Sequence, residues 1–297
     1  AVDVLWPERA TIGGILAANE SGALRLRYGG LRDLIIGVTL ALADGTLARS
    51  GGKVVKNVAG YDLPKLATGA LGTLGVITQA IFRLHPLPQQ TRTLTISARS
   101  VDDAQRLLHA LHDSTLAHAA LQARLAGDAT PELDVLLEGT AAGIAAQEAM
   151  ITELAAPAHV AEGANEAWLA RQSLWSSPEG SAIAKLSILP ANLAPTVATI
   201  NRLAIGASVG WRAVMQATGI GWLRFDGAPE KLTALLLELR ADLAAAGGSL
   251  VIAQQPIGAE RIDAWGDPGD ALPLMRATKQ QLDPHSTLNP GRFVGGI

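Results

Sequence analysis

The residues best suited to chemistry lie between Gly51 and Ile77. This stretch holds six glycines in 27 residues together with Asn57, Tyr61 and Asp62, and it ends in an apolar, β-branched segment. Glycine costs chain entropy and adds no side-chain packing, so this density indicates a main chain that closely approaches another group. Exposed main-chain N–H groups bind phosphate well. The stretch therefore predicts a loop that binds a polyanionic, planar cofactor, and a glycine-rich turn into a strand with no ligand is the alternative.

The order of residues excludes two nucleotide-binding motifs. A phosphate-binding loop of the ATPase type needs Ser or Thr after its Gly-Lys pair, whereas Val54 follows Gly52-Lys53. A dinucleotide-binding turn follows a strand and precedes a helix. Here the last three glycines, spaced three apart, precede an alternating run at 76–84 that is rich in strand-forming residues. The pattern therefore fits neither an ATPase loop nor a nicotinamide-binding fold.

Histidines are the next candidates, because they can bind metals or act in catalysis. The chain has six, scattered along the sequence: His85, His109, His112, His118, His159 and His285. His109 and His112 lie three apart on a predicted helix and could bind a metal, but no carboxylate pattern completes a site. Solvent-facing helix positions are the alternative for both residues. We predict no metal site, and the sequence assigns no catalytic residue.

Several short elements must position the glycine-rich stretch. A helix is predicted at 12–19 behind a Thr11 cap, and a strand at 34–42 turns through Ala43-Asp44-Gly45-Thr46 into a second strand at 47–49. The run at 76–84 predicts a third strand. The prolines of His85-Pro86-Leu87-Pro88 then indicate a domain boundary.

Beyond residue 90 the pattern β-α-β-β-α-β occurs twice. The predicted strands are 94–98, 118–125, 133–139, 159–161, 183–189, 208–216, 220–225 and 250–253, and the predicted helices are 101–112, 141–154, 193–203 and 230–246. Two such units predict two antiparallel sheets, or one extended sheet, covered by helices on one face. A last helix at 272–282 leads into Asp283-Pro284 and Asn289-Pro290-Gly291-Arg292.

Composition limits the class of protein. The 297 residues suit about two domains, and 48% of them are hydrophobic. A net charge of -3 without a basic block argues against nucleic acid as a partner. The absence of cysteine excludes disulfides, a thiol nucleophile and an iron–sulfur cluster held by this chain. We expect no membrane span, no signal pattern and a cytoplasmic location.

Motifs in a fixed order give the chain a family resemblance. Thr11-Ile12-Gly13-Gly14, Tyr28-Gly29, Arg32-Asp33, Asp44-Gly45, Gly60-Tyr61-Asp62-Leu63 and Gly72-Thr73-Leu74-Gly75-Val76-Ile77 resemble the flavin domain of the vanillyl-alcohol-oxidase/PCMH superfamily. The doubled split β-α-β region and Asn289-Pro290-Gly291-Arg292 resemble the cap domain of its lactate- and glycolate-oxidising branch. The run from Lys53 to Asp62 is most similar to the FAD-binding subunits of bacterial glycolate oxidases.

The resemblance implies an α+β fold, with a PCMH-type FAD-binding subdomain followed by a cap domain of two ferredoxin-like split β-α-β units. The implied domains are the C-terminal part of the FAD-binding domain at 1–88, the cap at 89–282, and a segment at 283–297 that returns to the flavin domain. The cofactor implied is FAD. The cofactor-binding residues implied are Thr11, Gly13, Gly14, Asp62, Gly72, Gly75, Val76, Ile77, Asn289 and Arg292.

Each of these assignments has a simpler structural alternative. Thr11 suits a helix cap, Asp62 a turn or cap, and Arg292 an exposed surface charge. The family's flavin domain also begins with a further subdomain, whose Arg-Gly-x-Gly-type loop holds the pyrophosphate. Nothing in this sequence matches that loop, so we expect either that upstream sequence is missing or that half of the cofactor site has been lost.

The function implied is that of the FAD-binding subunit of a glycolate oxidase or dehydrogenase complex, which oxidises glycolate, a small 2-hydroxy acid, to glyoxylate. Its partners would be a catalytic flavoprotein subunit and an iron–sulfur subunit, and its own role would be electron relay or assembly. Two alternatives stay open. One is a self-sufficient FAD-dependent 2-hydroxy-acid dehydrogenase of the lactate type, and the other is a flavin-free structural subunit.

Overall fold

The computed structural model describes residues 2–55, 60–176 and 180–297. The α-helices are α1 (Ile12–Ala18), α2 (Arg25–Tyr28), α3 (Leu31–Leu34), α4 (Leu63–Ala67), α5 (Val101–His112), α6 (Ala141–Ala155), α7 (Ala170–Ser173), α8 (Leu193–Ala207), α9 (Pro229–Ala245) and α10 (Leu272–Leu282). The β-strands are β1 (Ile35–Ala41), β2 (Leu47–Gly51), β3 (Val76–Phe82), β4 (Gln90–Ser97), β5 (Ala120–Ala126), β6 (Glu132–Gly139), β7 (His159–Glu162), β8 (Ser181–Ser187), β9 (Gly210–Gln216), β10 (Ile220–Asp226) and β11 (Ser249–Gln254). The predicted α+β class is confirmed.

The chain divides into two compact units, of which the first is discontinuous. The first unit contains Ala1–Pro86 and Trp265–Ile297, and the second contains Leu87–Ala264. The domain assignment made from the sequence (1–88, 89–282 and 283–297) stays a prediction. It differs from the structural units most clearly at α10, which lies in the first unit.

A three-stranded antiparallel sheet in the order β2-β1-β3 organises the first unit. The predicted hairpin between β1 and β2 is confirmed. Its turn is closed by Gly45, which has a φ of +85°, and by Thr46, whose N–H donates to Asp44 Oδ1 over 2.9 Å. Helix α1 packs against the sheet through Ile15 and Leu16, which share an apolar cluster with Val38. This packing places the first turn of α1 beside β3.

One eight-stranded antiparallel sheet forms the second unit, in the order β11-β8-β10-β9-β5-β6-β4-β7. Of the two arrangements left open by the sequence, the structure has the single extended sheet. The first β-α-β-β-α-β unit supplies β4 to β7 and the second supplies β8 to β11. They join where β5 pairs with β9, with Ala123 opposite Met215.

The two faces of this sheet carry different kinds of side chain. On β5, Leu121 and Leu125 are buried on the face covered by the helix row α6-α5-α8-α9, whereas Gln122 and Arg124 point to the other face. The connector 165–176 crosses that second face. Gln122 Nε2 donates to Ala167 O over 2.8 Å, and Trp168 Nε1 donates to Thr93 Oγ1 over 3.0 Å.

None of the helices in the described ranges is long and apolar enough to cross a membrane.

Helix α5 contains a carboxylate that should make the second unit sensitive to acid. Asp103 is 7% exposed and accepts hydrogen bonds from the side chains of Arg99 and Arg106. The side-chain hydrogen bond from Arg99 is the main cause that holds the pKa of Asp103 well below its usual value of 3.8. The stabilisation is therefore fully present above the unfolded-state pKa and is lost as the pH falls below it.

We expect the free energy of unfolding to fall between pH 6 and pH 3. The fall should be about 1 kcal/mol smaller in an Asp103→Asn variant, which has no carboxylate to protonate at this position. The difference is this small because solvent screens the charges of both arginines. Chemical denaturation at each pH measures this difference. Asp102→Asn, at an exposed neighbouring position, is the matched control and should follow the wild type. Equal pH dependence of all three proteins would contradict the assignment.

Candidate functional site

Residues 68–75, the loop between α4 and β3, contain the last three glycines of the stretch described above. This glycine-rich loop closes over the end of α1. Gly69 N donates to Leu16 O over 2.9 Å, and Leu71 N donates to Ala17 O over 2.8 Å. These bonds satisfy carbonyl groups that the last turn of a helix leaves open. Gly69, Leu71 and Gly72 have φ angles of +84°, +51° and +74°. The left-handed backbone explains the glycines at 69 and 72 by chain geometry alone.

The other end of α1 meets β3. Thr11 is the N-cap of α1, and its Oγ1 accepts from Gly14 N over 3.0 Å, so the simpler assignment for this residue is confirmed. A Cβ atom at Gly13 would lie 3.5 Å from Ile77 O, which shows how closely the helix approaches the strand. Thr11, Gly13, Gly14 and Ile77 are therefore brought together.

Gly75 lies at the turn into β3 and approaches β1. A Cβ atom there would lie 3.3 Å from both Ala41 O and Leu40 Cβ, so a side chain would press on the neighbouring strand. Val76 follows as the first residue of β3 and is 55% exposed. The glycine thus lets the loop enter the sheet while Val76 faces outward.

Asn289 reaches the same loop from the end of the chain. Its Nδ2 donates to Leu71 O over 2.7 Å, and a Cβ atom at Gly72 would lie 2.8 Å from that nitrogen. The segment at 283–297, which the resemblance returns to the flavin domain, thus contacts the glycine-rich loop at Asn289. Arg292 is exposed, and its main-chain N donates to Asn289 O over 3.2 Å. The alternative of a surface charge fits Arg292.

A Gly72→Ala variant should lose about 1–2 kcal/mol of unfolding free energy, because alanine strains the left-handed backbone and its Cβ meets Asn289. Gly52→Ala is the matched control, since Gly52 has open space for a Cβ and no positive φ. It should change stability by less than about 0.5 kcal/mol. Thermal and denaturant unfolding measure the stability of both variants. Equal losses of unfolding free energy would show that strain at Gly72 is not the cause.

Asp62 has a local structural role. It caps α4, with Oδ1 accepting from Lys65 N over 3.2 Å and Oδ2 paired with Lys65 Nζ at 2.6 Å. That side-chain hydrogen bond lowers the pKa of Asp62. The neighbouring Tyr61 is 90% exposed, and its carbonyl oxygen accepts from Ser50 Oγ. Asn57, in the same run, lies outside the described residues.

Sequence reasoning missed a buried ion pair behind the loop. Lys279 is 5% exposed and Asp283 0%. Lys279 Nζ lies 2.6 Å from Asp283 Oδ2 and donates to Thr73 O over 2.7 Å and to Leu288 O over 2.8 Å. The i,i+4 spacing of opposite charges at the end of a predicted helix was a visible signal for the pair. Its contact with Thr73 was not visible in the sequence.

Asp283 is held ionised by its neighbours. Burial alone would raise its pKa, but hydrogen bonds from Lys279, from the main chain of Leu288 and from both N and Oγ1 of Thr287 outweigh that effect. The pKa of Asp283 therefore lies below its usual value. The pair and its hydrogen bonds tie α10, the glycine-rich loop and the residues after α10 together.

These residues can be tested against the needs of FAD, which requires donors for its phosphates and apolar surface for its rings. Within the described ranges, the N–H groups of Gly13, Gly72 and Leu74 have no hydrogen-bond acceptor. Ile12 and Val76 expose 59% and 55% of their surface. Unpaired main-chain donors beside exposed apolar side chains fit a cofactor of this kind.

The histidines on α5 line a pocket in the second unit. His109 and His112 share it with Leu108, Ile188 and Met215. No group of three potential His, Asp or Glu ligands occurs among the residues that the structure describes.

The polar face of the eight-stranded sheet carries a buried carboxylate. Asp134 is 0% exposed and accepts from Thr95 Oγ1, Gln122 Nε2 and, with both oxygens, Arg124. Glu132 also pairs with Arg124, at 2.5 Å. Arg124 is therefore neutralised within the sheet, which makes it a poor anchor for a substrate carboxylate.

Comparison with known proteins identifies the relatives of the chain. Residues 1–51 match the family described as FAD binding domain. The chain is 40% identical over 113 residues to the glycolate oxidase subunit GlcD of Bacillus subtilis (strain 168). This alignment covers 38% of this chain and 24% of that protein. It is 28% identical over 339 aligned positions to the D-2-hydroxyglutarate dehydrogenase of Xanthomonas citri pv. viticola. This alignment covers 98% of this chain and 70% of that protein.

Among solved structures, an alkyldihydroxyacetonephosphate synthase has the same fold, with a TM-score of 0.72 at 16% identity over 98% of this chain and 60% of that one. The match to the glycolate oxidase subunit spans about a quarter of that protein's length. The match of residues 1–51 to an FAD binding domain agrees with the expected resemblance and supports FAD as the cofactor.

Proposed function

We propose that this chain, a relative of the PCMH-type FAD-dependent oxidoreductases, is the FAD-binding subunit of a glycolate oxidase or dehydrogenase complex. One observation carries the proposal. The first unit gathers predicted cofactor residues from distant parts of the sequence around α1, among them Gly13, Gly72, Ile77 and Asn289. The likeness to a glycolate oxidase subunit supports the choice of substrate class.

In the proposed complex, bound FAD would supply a two-electron acceptor for the oxidation of glycolate to glyoxylate. The chain's own contribution is to bind and orient. The main-chain N–H groups of Gly13, Gly72 and Leu74 would hold phosphate or polar cofactor atoms, and Ile12 and Val76 would cover apolar surface and exclude water.

An iron–sulfur partner is proposed because reduced FAD must be reoxidised. Reduced FAD must pass on two electrons, and this chain has no cysteine with which to hold an iron–sulfur cluster. We therefore assign the cluster to a separate iron–sulfur subunit. Because the sequence assigns no catalytic residue to this chain, we assign the oxidation of glycolate to a catalytic flavoprotein subunit. The chain's part in this complex would be electron relay or assembly, in the cytoplasm.

Absorbance spectroscopy and turnover test this function. The purified protein, supplied with FAD and separated from free ligand, is expected to keep the flavin absorbance bands and to show little glycolate oxidation until the partner subunits are added. A colourless, stably folded protein after that treatment would favour the flavin-free structural subunit. Glycolate oxidation by the chain alone, with a reducible flavin, would refute the relay role.

A second candidate is a self-sufficient FAD-dependent 2-hydroxy-acid dehydrogenase. The observation that favours it is the alignment with a D-2-hydroxyglutarate dehydrogenase over 98% of this chain. Turnover of glycolate, lactate and 2-hydroxyglutarate with an artificial electron acceptor separates the two candidates. Activity without partners on lactate or 2-hydroxyglutarate would support this second function.

A further inference from the structure

The end of the chain holds two carbonyl groups of the glycine-rich loop. Asn289 Nδ2 donates to Leu71 O over 2.7 Å, and Lys279 Nζ donates to Thr73 O over 2.7 Å. Lys279 is in turn held by Asp283 at 2.6 Å. We call Lys279, Asp283 and Asn289 the C-terminal clamp.

Holding these carbonyl groups also fixes the direction of two N–H groups. The peptide bonds after Leu71 and Thr73 are trans, so in each plane the N–H points away from the C=O. The clamp therefore directs the N–H of Gly72 away from Asn289 and the N–H of Leu74 away from Lys279. Within the described part of the chain, neither N–H has an acceptor.

The chemistry of the clamp favours orientation over stability. Lys279 uses its three donors on Asp283 Oδ2, Thr73 O and Leu288 O, and Asp283 accepts from Thr287 and Leu288. A buried ion pair is often no more stabilising than apolar side chains of the same volume. Directional hydrogen bonds nevertheless fix a loop position that apolar contacts would leave variable.

We propose that the C-terminal clamp consists of positioning residues, which orient the N–H groups of Gly72 and Leu74 toward the cofactor. The inference rests on the proposed binding of FAD by this unit. It adds to that function Lys279 and Asp283, which lie behind the loop and act through it.

Asn289→Gly is the most direct test. Asn289 has a φ of +44°, which glycine adopts without strain, so the variant removes the donor and keeps the backbone. Ser286→Gly is the matched control, since Ser286 has a φ of +48° in the same segment, is exposed, and has a hydroxyl with no hydrogen bond among the described residues. FAD should bind about tenfold more weakly to Asn289→Gly at an unchanged melting temperature, and normally to Ser286→Gly.

Hydrogen exchange of the protein without FAD gives an independent readout. The amides of Gly69, Leu71 and Thr73 are hydrogen-bonded while the loop is closed. Their exchange should be several times faster in Asn289→Gly than in the wild type or in Ser286→Gly.

The visible circular dichroism of bound flavin should also change in Asn289→Gly, because it reports the asymmetry of the cofactor's surroundings.

A Lys279→Met/Asp283→Leu double variant tests the ion pair without leaving a buried charge. It should remain folded, bind FAD about tenfold more weakly and show the same faster exchange. Wild-type FAD affinity and exchange in this variant and in Asn289→Gly would overturn the clamp. Failure of the wild type to bind FAD would overturn the proposed function, and the exchange data would still decide whether the clamp holds the loop.

Discussion

A Lys279→Met variant is expected to lose about 3–5 kcal/mol of unfolding free energy, because it leaves the carboxylate of Asp283 buried without its cation. Asp283 is fully buried and Lys279 is 5% exposed, so water cannot replace the lost ammonium without opening the first unit. The carbonyl groups of Thr73 and Leu288 also lose their donor. Denaturant unfolding at neutral pH measures the loss.

Two further variants separate charge from packing. Adding Asp283→Leu to Lys279→Met should recover more than half of the loss, since no unpaired charge then remains inside. Lys231→Met, at an exposed position of α9, is the matched lysine control and should change stability by less than about 0.5 kcal/mol. A double variant as unstable as the single one would show that the ion pair itself is not the cause.

An Asp134→Ala variant should destabilise the second unit by about 2–4 kcal/mol. Asp134 accepts hydrogen bonds from three side chains, and Gln122 and Arg124 would lose an acceptor on a face that the connector covers. The effect is kept below that of a fully buried pair because Arg124 remains 29% exposed and retains Glu132. Thermal unfolding followed by circular dichroism measures it.

Glu132→Ala provides the control for Asp134→Ala, because it removes the other carboxylate that pairs with Arg124. Glu132 is 39% exposed, so its loss should cost less than about 1 kcal/mol. Similar losses for the two variants would mean that burial of the carboxylate does not set the stability of this network.

Local signals in the sequence predicted most helices and strands well. The predicted helix at 101–112 matches α5, since Ser100 caps it and its apolar positions repeat at helical spacing. The prediction of strand β4 at 94–98 was too short. The strand begins at Gln90, because Gln90 pairs with Gly139 on β6, and pairing with a neighbour decides a strand end more than the intrinsic preference of its residues.

Contacts between distant residues were harder to predict. The join of the two repeats through β5 and β9 depends on register between strands separated by almost a hundred residues, which no local pattern encodes. The contact of Lys279 with the loop was missed for the same reason, since Lys279 and Thr73 are 206 residues apart. The family resemblance implied that the segment of Asn289 returns to the flavin domain, but it did not predict the hydrogen bond of Asn289 to the loop.

The discontinuity of the first unit has a consequence for the order in which the protein matures. A ribosome releases the chain from its N-terminal end, so Leu87–Ala264 can fold while the last part of the first unit is still being made. Lys279 and Asn289 emerge late, and only then can the loop around Thr73 receive its donors. Loading of the cofactor would therefore be a late event in biogenesis, and a chain truncated before α10 would present an open glycine loop to the cell's quality-control machinery.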